Sequence, residues 1–164
     1  MRSILGSGLE QASASLPPVT APAFTGIPWL ASHPYAYPVL EMLHIVGIAL
    51  LLGNLVLLEL RIWGLARELP LEPLARLSLA LAVSGFALIA LSGLLMFAAD
   101  PGEMLASRTF VVKMALVMLA GLNAAMFHAR GGLQQADRVA RAQTVVSLGL
   151  WLAVIICGRW IAYS

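Results

Sequence analysis

Charge is scarce in this chain. Lys, Arg, Asp and Glu make up 11% of its 164 residues, against about 25% in soluble domains, and the mean hydropathy is +0.90. An ordinary water-soluble fold is thereby excluded. Cysteine is scarcer still: the single Cys157 rules out an internal disulfide and any multi-cysteine metal site. The net charge of +2 is small and its basic residues are scattered, which excludes a nucleic-acid surface. No nucleophile elbow, zinc-binding helix pair or phosphate loop is present, so an enzyme is the least supported class. Ser84-Gly85 and Ser92-Gly93 fall in apolar helix, and Arg130-Gly131-Gly132 is accounted for by helix termination.

What remains is hydrophobic and long. Four apolar stretches run over about 39–60, 77–99, 109–129 and 142–161, each near the 20 or so residues needed to cross a hydrocarbon core of about 30 Å. The second, Leu77–Ala99, carries no charge. Backbone polar groups must be satisfied within lipid, and runs of this length do so as helices. The connections are short: ARELPLEP, the turn-forming DPGEMLASR, and RGGLQQADR. They predict an all-α integral membrane protein, an antiparallel up-down-up-down four-helix bundle over residues 36–164. Residues 1–35 read as a separate interfacial segment. An amphipathic helix is expected around Ile4–Leu16, then a Pro-stiffened connector, then Trp29, Tyr35 and Tyr37 as headgroup-level anchors. Ser, Gly, Glu and Gln interrupt the start too often for a cleaved signal.

Basic residues set the orientation. Arg61, Arg67, Arg76, Arg130, Arg138 and Arg141 lie at the end holding the first and third connections; Arg108, Arg159 and the distant Arg2 lie at the other. The excess normally faces the cytoplasm. Both termini are therefore expected outside, in a bacterial inner membrane.

The polar residues inside the spans can be placed by depth. His44 lies roughly 10–12 Å below the outer end of the first span, with Glu41 one turn above it. Lys113 is about one turn into the third span and Arg159 about one turn from the outer end of the fourth. These four form an outer polar layer. Asn54 and Asn123 share a level in the cytoplasmic half, and His128 lies at the cytoplasmic end near Glu59 and Arg61. The second span carries a heptad seam, Ser78, Leu81, Gly85, Leu88, Ser92, Leu95 and Ala99, built largely from small residues that let membrane helices approach. Lys113, Val117, Ala120 and Ala124 form a matching stripe on the third span, which turns Lys113 toward the interior.

The run YPVLEMLHIVGIALLLGNLVLLELRIWG resembles the first span of a family of small, uncharacterised bacterial four-helix membrane proteins. Members carry an aromatic-Pro, Glu, His and Gly series followed by an acidic-Leu-Arg motif. SGFALIALSGLLMF, FVVKMALVMLAGLNAAMFH and LWLAVIICGRWIAY are similar to the family's later segments, so the resemblance spans roughly residues 35–163. A more distant likeness is to membrane proteins of the copper-resistance D type. The resemblance implies a relative without implying an activity.

Three roles fit. In the first, the bundle binds haem b for electron transfer, with His44 as its metal ligand. His128 cannot be the second ligand, because its level differs from that of His44 by roughly 18 Å. Met114, Met118, Met96 or His44 of a second copy would supply it. In the second, the chain is a transport component for protons, a metal ion or a small anion. Glu41 and His44 would carry protons or ligate the ion, while Lys113 and Arg159 favour an anion. In the third, it is a structural or accessory subunit. The expected surroundings are the lipid bilayer and either a homo-oligomer or a larger membrane complex.

Overall fold

The computed structural model describes residues 26–27, 33–135 and 137–161. Most of the expected interfacial segment, including Ile4–Leu16 and Trp29, lies outside the described residues. Four long helices dominate: α1 (Ala36–Ile62), α2 (Leu71–Ala99), α4 (Arg108–Ala129) and α6 (Arg138–Ile161). The short α3 (Pro101–Ala106) and α5 (Gly132–Gln135) sit in the second and third connections. All four long helices are apolar enough to cross a membrane, and only 11–22% of each one's most apolar window is buried inside the bundle. The remainder faces outward, where lipid solvates it. This is a multi-pass, all-α membrane protein.

The helices outrun the apolar stretches at their watery ends. α2 begins at Leu71, six residues before the charge-free run, with Pro70 in extended backbone as its N-cap. Pro73 is tolerated because the first turn has no intrahelical N–H bond to lose. Glu72 and Arg76 pair across one turn at 3.5 Å. Local caps account for the other starts. The Asp100 carboxylate accepts from the Glu103 N–H to open α3, Ser107 accepts from the Phe110 N–H to open α4, and Asp137 accepts from the Ala140 N–H at 2.7 Å to open α6. Each satisfies an orphan donor of a first turn.

α1 and α2 form one antiparallel hairpin, α4 and α6 a second, and the two join along α1 and α6. The first hairpin closes over two glycines. A Cβ on Gly47 would lie 2.9 Å from the Gly85 carbonyl oxygen, and one on Gly85 would lie 2.7 Å from the Leu51 nitrogen. Such backbone approach is the device by which small residues hold membrane helices together by dispersion. Ser78, Gly85 and Ser92 of the expected seam are buried, but Leu81 and Leu95 are exposed and Ala82 takes the inward place. On α4, Ala120 and Phe127 are buried, Lys113 and Val117 half-buried, and Ala124 exposed.

Two ends of the bundle can now be distinguished. The proximal end carries the start of α1, with Tyr35 and Tyr37 exposed, and the α2–α4 connection; there Phe97 stacks on Phe110. The distal end carries the α1–α2 and α4–α6 connections. It holds the apolar cluster of Leu58, Ile62, Ala75, Phe127 and Ala140. The Trp63 indole N–H donates to Thr144 at 2.8 Å, tying the end of α1 to α6.

Candidate functional site

His44 sits in the proximal half of α1 and meets α2 edge-on. Its Nδ1 is 3.0 Å from the Ser92 hydroxyl oxygen. That hydroxyl, 2% exposed, spends its own proton on the Leu88 carbonyl at 2.7 Å. Ser92 therefore accepts, Nδ1–H donates, and the lone pair of the neutral ring is left on Nε2. Gly93 makes room for the ring: a Cβ there would lie 3.3 Å from the imidazole. The buried Ser92 of the seam thus orients the one histidine set deep in a span, much as outer groups orient ligating or proton-accepting histidines elsewhere.

Lys113, the only lysine of the chain, reaches this level from α4. It is half-buried, and its ammonium lies over Gly158 of α6, where a Cβ would stand 3.4 Å from Nζ. It is within electrostatic reach of His44 and of Cys157. Among the described residues no carboxylate pairs with it; the ion pairs are Arg76–Glu72 and Arg130–Asp137, both at the distal end. A lysine in a span costs about 2.5–3.5 kcal/mol on insertion scales, so leaving it uncompensated calls for a reason.

The other expected site residues disperse. Glu41 is exposed and makes no ion pair with His44. It stands near Tyr37, as does Glu103 of α3. Met114 and Met118 face outward, 40% and 75% exposed, and Arg159 is exposed on the last turns of α6. Asn54 donates to the Leu50 carbonyl of its own helix. Asn123 ties α4 to α6 by donating to the Gln143 carbonyl at 3.0 Å. His128 lies edge-on to Phe127. Among the described residues no three His, Cys, Asp or Glu side chains gather in the manner of a metal site. The proximal layer therefore comes down to His44, Ser92 and Lys113, contributed by three helices.

One residue that depth alone did not single out is Glu59. It is 5% exposed and faces the interior between α1, α4 and α6. The signal was in the pattern: Leu51, Leu55, Leu58 and Ile62 recur with it at helical spacing on one face of α1, whereas its neighbour Arg61 points to the loop and donates to the Leu69 carbonyl.

Comparison with known proteins adds no constraint: no protein-family model, curated protein or solved structure matches the chain.

Proposed function

We propose that the chain is a membrane transport component that takes a small anion, together with a proton, into the proximal half of its bundle. The observation that carries this reading is the Lys113 ammonium, half-buried over Gly158 of α6 and within electrostatic reach of His44, with no carboxylate partner among the described residues. An intramembrane cation of this kind pairs with something, and here the available something is a ligand. His44 complements it. Its Nε2 lone pair accepts a proton, and the imidazolium so formed becomes a second donor toward the anion while Nδ1 stays on Ser92. An anion and a proton arriving together leave the site near neutral, which limits the cost of charge inside the membrane.

Chloride, phosphate and acetate serve as probes in proteoliposomes. Uptake of at least one should rise with an inward proton gradient and fall at least about tenfold, the kinetic equivalent of about 1.4 kcal/mol, in Lys113→Gln. Unchanged uptake in that variant would remove Lys113 from the site.

The imidazole geometry favours a second reading. A histidine fixed through Nδ1 with Nε2 free is arranged as an axial haem ligand is. With Met114 and Met118 facing outward, the opposite ligand would come from a second copy of the chain. Protein expressed with ample haem would then show a reduced α-band that is lost in His44→Ala; a featureless spectrum retires this alternative. In either reading the proximal end faces outside, on the strength of the arginines at the distal end, and the membrane we propose is the bacterial inner membrane.

A further inference from the structure

At the distal end, some 15 residues along α1 from His44, the bundle encloses a second polar site. Glu59 is 5% exposed. Ser147 of α6 stands beside its carboxylate, while Oε2 is fully buried without a partner. A second buried acceptor, Oε1 of Gln143, is likewise unpartnered. Both residues line one cavity of about 60 Å³, walled also by Asn123 and His128 of α4 and by Ser147. A buried acceptor left without a donor is costly in a low-dielectric interior, and more so where the group is charged. A proton on the Glu59 carboxyl removes the charged part of that cost and turns an unpartnered acceptor into a donor.

We infer that Glu59 is an intramembrane proton-binding site, loaded from the distal end through His128. The cavity wall supports the route. His128 lines the cavity yet is exposed overall on the last turn of α4, so one side chain meets both the aqueous end and the carboxylate's chamber. The proton passes from the imidazolium to the carboxylate, leaving a neutral ring that reloads from water. The chamber has room for water to bridge the gap, since about 30 Å³ is one molecule's share of the liquid. Among the described residues no other titratable group lines the cavity. α2 contributes Leu79, and α6 contributes Gln143, Thr144 and Ser147. Arg61 is held by the Leu69 and Arg67 carbonyls, and Arg76 is paired with Glu72 at the surface. This site stands independently of the Lys113 reading, from which it is separated by most of the bundle's length.

Infrared difference spectroscopy of the full chain in lipid nanodiscs, between neutral and alkaline pH, reads the carboxyl directly. A protonated C=O stretch should be present at neutral pH, shift when the glutamates are ¹³C-labelled, and vanish in the isosteric Glu59→Gln. After a pH jump, its appearance should slow at least about tenfold in His128→Gln, the lower range for loss of a positioned proton-transfer group. Absence of the band in labelled wild-type protein, which requires no variant to fold, would overturn the assignment. So would its persistence in Glu59→Gln, or its replacement by a carboxylate band on adding sodium ions at constant pH, which would make the site a cation site. An unchanged rate in His128→Gln would overturn the route.

Discussion

At the scale of single residues, the bundle keeps a few polar groups in places where apolar ones would be more stable, and Lys113 is the clearest. Its ammonium has no described anionic partner, and a charge inside a span costs about 2.5–3.5 kcal/mol. Lys113→Met preserves the length of the stem that lies over Gly158 and removes the charge. It should raise resistance to denaturation in detergent by about 1–3 kcal/mol while abolishing anion uptake, the exchange expected where a strained group serves function. A loss of stability would mean that the ammonium is satisfied after all. Ser92 presents the opposite case. Ser92→Ala removes the hydroxyl acceptor of the His44 ring, leaving it the Ile89 backbone, and should cost about 1 kcal/mol, near the membrane average of about 0.6 with its upper limit of about 1.7. The same variant should impair uptake, because the ring is no longer held in one orientation beside Lys113. Normal uptake in Ser92→Ala would show that ring orientation is unimportant.

At the scale of the helices, the first hairpin depends on the contact of Gly47 with Gly85. Any side chain at either position meets backbone atoms of the facing helix within about 3 Å, and backbone cannot turn away as a rotamer can. Gly85→Leu should therefore pry α1 from α2 and displace Ser92 from His44. The readout is a cysteine pair placed across the hairpin, whose cross-linking should be lost while membrane insertion persists. The four spans themselves were legible in the sequence, because length and apolarity in lipid leave the backbone one economical conformation. Their watery ends were less so. α2 gains its first six residues from a Pro start and an exposed Glu72–Arg76 pair, features that hydropathy scores as loop. The aqueous connections contain the short helices α3 and α5, built by local capping that apolar patterning does not register. The proximal site was partly legible. Depth placed His44 and Lys113 at one level, but rotation about the helix axis decides which groups meet, and a difference of about 60° puts Glu41 outside while His44 packs on Ser92. Glu59 was obscured by the adjacent Arg61, which made a buried carboxylate look like part of an interfacial charge cluster.

At the scale of the whole molecule, the two polar sites lie about 22 Å apart along α1 at 1.5 Å per residue. What separates them is mostly apolar: Gly47 against Gly85, with Leu51, Ala82, Ala120 and Val154 buried at intermediate levels, and Asn54 bonded back to the Leu50 carbonyl of its own helix. Among the described residues no polar relay crosses that zone, so one polar cluster lies toward each end, the distal one beside a cavity. Which aqueous compartment each cluster serves then depends on sidedness alone. The distal end carries Arg61, Arg67, Arg76, Arg130, Arg138 and Arg141, several of them fixed on loop carbonyls or acidic neighbours, against Arg108 and Arg159 at the proximal end. Juxtamembrane arginines are retained on the cytoplasmic side during insertion; the orientation we propose on that ground has Glu59 and His128 toward the cytoplasm and His44 and Lys113 toward the outside. In a Cys157→Ser background, a membrane-impermeant maleimide added to intact cells should label Gly102→Cys, in the proximal connection, and should reach Glu68→Cys, in the exposed α1–α2 loop, only after the membrane is opened. The reverse pattern would exchange the compartments. The anion site would then open to the cytoplasm, and the carboxyl at Glu59 would sense the pH outside.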